Sequence, residues 1–324
     1  MIGLLSRPLL TPTAGLLCLA LFTAATSSCA ETHKHTESPS EPKRVVVAEP
    51  ALQAMVVGTI DKEHLTTQGY PFSKIGDAFD AFKPDLVLVQ VRPDAAKDNK
   101  LEDAPIEQTY VNDIVGSRGI DMEPIDWFRE IELGIPLPNP ESTDVEAYKR
   151  DAGWLDTYEP MTFEQANSRE TSEKILVALN ARARYLGGNA LWEKRQAWIQ
   201  HNAAEAMKKH KGVRRVMAVI QVMHRPELEM YLQNMGAVIR NAADVVSKAA
   251  ETREAGAVPA TVVTQWKQEL NRLKEKLEGA PKKGPERLPI AAKIAVLQVA
   301  VDKSGACCVP PSLLQPRKPG EAGP

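Results

Sequence analysis

Three apolar runs in this chain end on residues suited to chemistry. The first, from Met55 to Ile60, gives way to Asp61, with His64 three positions on. The second, Asp85 to Val91, carries Gln90 and is followed by Arg92, and the third, Arg214 to Met223, ends on His224. A carboxylate and two imidazoles can hold a divalent cation or activate a water. Arg92 offers a planar fork for carboxylate or phosphate oxygens. Gly58, where the first run leaves its strand, admits close approach of a ligand. Each residue also has a structural reading. Asp61 can cap a helix or turn, His64 can face solvent, Arg92 can pair with Asp61, and His224 can bond its own turn. Gln90 is neither a base nor a good metal ligand. Glu193, Arg195 and His201 share one helical stretch and can equally be its solvated face.

The runs that carry these residues read as strands buried on both faces, because they are continuously apolar and bounded by polar residues. Leu52 to Ile60, a helix from Phe72 to Phe82 stopped by Lys83-Pro84, and the strand Asp85 to Val91 form a strand–helix–strand unit. Such a unit implies a parallel pair with a right-handed crossover. A helix is expected from Pro105 to Gly116, then a short strand from Gly119 to Pro124. Residues 126 to 160, with prolines at 136, 138 and 140, read as an inserted loop or small helical lid. Long helices follow over Phe163 to Leu186 and Asn189 to His210, then the strand Val213 to Val222 and a helix from Pro226 to Met235. The fold expected is α/β, with a mixed, largely parallel central sheet flanked by helices. Ligands of open α/β sheets bind at the C-terminal ends of the strands, which is where Asp61, Gln90, Arg92 and His224 fall.

From residue 241 the character turns to amphipathic helices, Ala242 to Thr252 and Ala260 to Leu277, expected as a helical C-terminal extension over 241–305 of the α/β domain at 49–240. The ends read differently. Arg7, the apolar stretch Ala14 to Ala25 and the small residues Thr26-Ser-Ser before Cys29 read as a secretory signal resembling the lipoprotein type over 1–29, with Cys29 as the lipidated residue; ordinary cleavage near Ala30 or an uncleaved anchor is the alternative. Polar residues 30–48 read as a tether, and 306–324, rich in Pro, Gly and charge, as a disordered tail. Cys307 and Cys308 are adjacent and imply no disulfide framework. A net charge of −2 with 5% aromatic residues gives no basic, aromatic-interleaved stripe, so nucleic acid is not an expected partner.

Together, Val56-Val-Gly-Thr-Ile-Asp61 with His64, Phe82 to Pro93, Trp192-Glu-Lys-Arg195, and Arg215 to His224 ahead of Gly236 resemble the TraB/GumN/Tiki family. That family includes haem-binding ChaN-like lipoproteins and is related to erythromycin esterases. The resemblance covers about residues 50 to 240. Its usual pattern is Gly-x-x-His at the first strand, Glu at the second, and a glycine-containing turn with histidine at the late strand. Here Asp61 stands at the first histidine position, Gln90 at the glutamate and Gln221 at the late glycine. Arg92, Arg195 and His224 match in type.

Tiki-like members are metal-dependent proteases, and the esterase relatives hydrolyse with histidine and glutamate. The resemblance therefore implies an envelope lipoprotein, membrane-bound through Cys29, hydrolysing peptide or ester bonds with Mn, Co or Zn. Asp61, His64 and His224 would bind the metal and activate water. Gly58, Gln90, Arg92 and Arg195 would line the substrate. Gln90 cannot accept a proton at neutral pH, so the competing expectation is a degenerate member that binds a ligand, haem or a protein without turnover.

Overall fold

The computed structural model describes residues 51–101, 104–127, 144–154, 161–185, 190–249 and 258–304. The signal sequence with Cys29, the tether, residues 128–143 of the expected lid with their prolines, and the C-terminal tail with Cys307 and Cys308 lie outside the described residues. Among the described residues no helix is long and apolar enough to cross a membrane.

Five strands form one sheet: β1 (Gln53–Thr59), β2 (Leu86–Val89), β3 (Asp121–Pro124), β4 (Arg215–Gln221) and β5 (Val238–Ile239). Their order is β3-β2-β4-β1-β5, and every pairing among them is parallel. The expected mixed sheet is thus parallel throughout these strands. Eleven helices lie among the described residues: α1 (Ser73–Phe82), α2 (Pro93–Lys97), α3 (Glu107–Arg118), α4 (Val145–Ala152), α5 (Phe163–Ala166), α6 (Arg169–Tyr185), α7 (Ala190–Lys209), α8 (Arg225–Asn234), α9 (Ala242–Ala249), α10 (Ala260–Gly279) and α11 (Arg287–Asp302).

Helices cover both faces, which explains why the central strands are apolar at successive positions. Met55, Val57, Val87, Val89, Met217 and Val219 face a core built with α1, α3, α5, α6 and α9–α11. Ala54, Val56, Leu86, Leu88, Val216, Ala218 and Ile220 face a smaller one, supplied by Ile199, Ala203 and Ala206 of α7 and Leu228 and Leu232 of α8. The chain leaves β1 towards the first face and leaves β4, its neighbour, towards the second. The strand ends between these diverging connections form the topological switch point, where α/β folds place ligands.

Some local expectations change. Lys83 adopts a left-handed conformation with φ 53° and ends α1 before Pro84, as its sequence suggests. The helix expected from Phe163 to Leu186 is broken at Asn167-Ser168. Thr162 and Gln165 cap α5 reciprocally, and the Asn167 side chain leaves the helical path to bond Gly58. Within the expected lid lies α4, whose first turn is capped by Asp144 accepting from the Ala147 amide at 2.9 Å. The C-terminal helices belong to the main core, with Trp266 fully buried beside Phe72.

Candidate functional site

The end of β1 is held by its own chain. The Gly58 amide donates to Asn167 Oδ1 at 2.8 Å, and its carbonyl accepts from the Tyr70 hydroxyl at 2.8 Å. A Cβ at Gly58 would lie 3.1 Å from both the Ala166 oxygen and Arg225 Cδ, and 3.2 Å from Val222 Cα. The close approach this glycine permits is therefore to protein, where a ligand was expected. Gly58→Ala should cost about 1–3 kcal/mol by overpacking three segments at once, read as a fall in the urea midpoint; an unchanged midpoint would contradict this packing.

Asp61, at φ 49°, opens a short 3-10 turn, Asp61–Leu65. Its Oδ1 accepts from the Ile106 amide at 3.0 Å, immediately before α3. This is the capping role, performed on a helix that begins more than forty residues later. His64 sits in the same turn but is buried. Nδ1 lies 2.8 Å from the Tyr70 carbonyl and Nε2 3.3 Å from the Ile60 amide. A carbonyl only accepts and an amide N–H only donates, so Nδ1 carries the proton and Nε2 accepts. The ring stacks on Phe72 at 5.0 Å and meets Tyr70 edge-on. Burial pushes its pKa down to about 4, and both nitrogens are occupied. The expected roles of His64 as metal ligand and base do not fit this arrangement.

Gln90 and Gln221, the positions where the resembled family carries glutamate and glycine, bond to each other. Gln90 Nε2 donates to Gln221 Oε1 at 3.0 Å, and the Gln221 backbone N–H donates to Gln90 Oε1 at 2.6 Å. The Gln90 side chain thus clasps the ends of β2 and β4 and serves a neighbour in place of a substrate. Arg92 forms a two-pronged pair with Asp94, at 2.9 and 2.8 Å. The alternative pairing with Asp61 does not form.

Asp61 and His64 share one turn; His224 is the predicted catalytic residue brought together with a predicted site residue of another element, Arg195 of α7. Through Trp192, Arg195 and Gln196, spaced at one helical face, α7 reaches it. Trp192 stacks on the imidazole at 4.4 Å with planes 9° apart, and Gln196 Nε2 lies 2.8 Å from Nδ1. With the amide nitrogen as donor, Nδ1 accepts and the ring proton sits on Nε2. Burial and then the Arg195 guanidinium hold its pKa well below the usual histidine value, against the opposing pull of Asp126. Arg195 grips Asp126 with bonds of 2.9 and 2.6 Å. Burial works to raise the Asp126 pKa, but the guanidinium outweighs it and the carboxyl is held low. Arg195, expected as a substrate ligand, is engaged by this buried partner. Glu193 and His201 are exposed, in keeping with a solvated face.

No protein-family model, curated protein or solved structure that was compared with the chain matches it.

Three groups that sequence reasoning passed over organise this edge. Arg225 is wholly buried. Its guanidinium donates to the Asn167 carbonyl at 2.9 Å, to the Ser168 carbonyl, to Ser172 Oγ and to Glu229 Oε1 at 3.3 Å. Asn167 links that cation to Gly58. Glu107, in the first turn of α3, takes the Thr59 hydroxyl on Oε1. The i,i+4 spacing of Arg225 and Glu229 reads as a surface pair, while the partners that bury Arg225, and the Thr59 partner of Glu107, are distant in sequence. The helical spacing of Trp192, Arg195 and Gln196 was an available signal.

Among the described residues, no group of three or more His, Cys, Asp or Glu side chains is disposed to hold a metal ion. Asp61 caps α3, His64 has no free nitrogen, and His224 is sandwiched by α7, so the triad expected to take Mn, Co or Zn does not fit one. A separate cleft of about 750 Å³ lies beside α4 and α6, with Trp154, Met161 and Val177 in its lining and Asp151, Glu170 and Lys174 among its charged groups.

Proposed function

We propose that this chain is a lipid-anchored envelope protein, built on the TraB/GumN/Tiki-like plan, that binds a ligand or partner without turning it over. One observation carries the reading: Gln90 and Gln221, the departures from the family's glutamate and glycine, bond to each other across the ends of β2 and β4, beside the switch point. The Gln90 side chain is engaged at both ends and the pair offers no proton acceptor for hydrolysis, since an amide does not ionise at neutral pH. The α4–α6 cleft, where Trp154, Met161 and Val177 lie among polar and charged groups, has a volume usual for organic ligands.

The test uses residues 31–324 without a histidine tag. Elemental mass spectrometry after incubation with Mn, Co and Zn should find metal far below stoichiometry, equally in wild type and His224→Ala. Ester and peptide substrates should not turn over. Near-stoichiometric metal that falls in His224→Ala, or turnover abolished by it, would overturn the reading in favour of the hydrolase. The anchor has its own test: Cys29→Ser in the full chain should move the protein from the membrane fraction to the soluble fraction. Retention in the membrane fraction would sink the lipid attachment.

A further inference from the structure

We propose that Glu107 is kept as a neutral carboxylic acid and works as a proton-dependent clasp between the end of β1 and the first turn of α3. This rests on the fold and stands or falls apart from the ligand-binding reading.

Glu107 is 0% exposed, and its Oε1 accepts from Thr59. Its Oε2 has no partner, and neither has Oε1 of Gln108, the next residue. Gln108 spends its amide nitrogen on the Val219 carbonyl at 3.3 Å. Among the described residues, two acceptor oxygens of the first turn of α3 are thus buried without a donor. Protonating Glu107 removes a buried charge, whereas an ionised Glu107 would hold it with only the Thr59 hydroxyl and its own backbone amide as hydrogen-bond donors.

The charged groups around it point the same way. From the 3-10 turn, Asp61 repels a second negative charge, with Glu63 beyond it. From α11, Lys293 attracts one, but its ammonium also donates to the Ala104 carbonyl. From α10, Glu269 is reached by Thr109 of α3 at 3.2 Å. The N-terminus of α3 favours an anion, but Asp61 already takes that place through the Ile106 amide. Desolvation of a buried carboxylate outweighs so small an effect, so burial wins. Burial first, then Asp61, raise the Glu107 pKa to about 8.

The sign follows. A carboxyl whose pKa is higher folded than unfolded contributes stability at low pH, and that contribution is lost as pH rises through its folded value. With 4.5 unfolded and about 8 folded, the unfolding equilibrium constant should rise about thirtyfold from Glu107 alone between pH 6.5 and 9. Glu63, raised to about 7 by burial, should add about fourfold. His64 and His224, both lowered in the folded protein and half protonated at pH 6.5 when unfolded, each act in the opposite sense by about twofold.

The experiment is urea unfolding of wild type and Glu107→Gln at pH 6.5 and 9, with hydrogen exchange read on 104–118. Wild type should lose stability by the combined factor and lose protection in the first turn of α3. Glu107→Gln should lose the thirtyfold component, leaving little net change, and keep its protection. In case Glu107→Gln does not fold, infrared spectroscopy of wild type provides a second readout. A protonated-carboxyl band should be present at pH 6.5, shift in Thr59→Val, and fade through about pH 8. Full wild-type pH dependence in Glu107→Gln, or a wild-type spectrum with no such band, would overturn the proposal.

Discussion

Arg225→Met should be among the most damaging single substitutions in this protein, destabilising it by on the order of 3–5 kcal/mol. The reason lies in what the cation leaves behind. A buried ion pair can often be exchanged for apolar side chains at little cost when both partners are replaced. Here two of the partners are backbone carbonyls, those of Asn167 and Ser168, which no substitution removes. Ser172 Oγ and Glu229 would lose the same donor. Each buried polar group left unsatisfied costs about 1–3 kcal/mol, and small domains hold only about 5–15 kcal/mol in all. Arg225→Lys keeps the charge but not the fork, and should fall between wild type and methionine. The measurement is the urea midpoint of the three proteins at pH 6.5. A methionine variant within about 1 kcal/mol of wild type would show that the guanidinium does not join β1, β4 and the α5–α6 break in the way its contacts imply.

That joint was also what the sequence concealed. β1, β2 and β4 were legible because a strand covered on both faces must be apolar at every position, a local property. So was the edge where function belongs, since the polar residues begin where each run ends. What each residue does there depends on which distant segment approaches it. Asp61 is claimed by the amide of Ile106 and Gln90 by Gln221, and neither separation leaves a local trace. Arg225 was hidden by its type, because arginine beside a proline-started helix reads as surface. Short elements were missed for a different reason. β5 has two residues and α2 five, too few for any period to develop. In α11, Leu288 is exposed while Ile290, Val296 and Leu297 are buried, so apolar residues on more than one face blur the helical stripe.

The second large effect is expected at the C-terminal helices. Trp266→Ala should cost about 3–5 kcal/mol, the usual penalty for emptying a fully buried indole site, while Trp266→Phe should cost far less. The indole Nε1 has no hydrogen-bond partner, so phenylalanine forfeits volume without breaking a bond. Removing residues 242–324 goes further. It strips Val246, Val262, Trp266, Leu270, Leu273, Ile290 and Leu297 from the same core that holds Met55, Val57 and Phe72. The truncated chain should lose cooperative urea unfolding and near-ultraviolet circular dichroism, and bind a hydrophobic dye. It would then be useless for asking whether these helices recruit a partner, because the switch-point edge would be lost with them. Point substitutions on exposed α10 positions, such as Lys267, are the proper probe of that question. Cooperative unfolding and native circular dichroism in the truncated chain would reverse the conclusion: α9–α11 would then be an accessory on a self-sufficient domain, and partner binding their natural role.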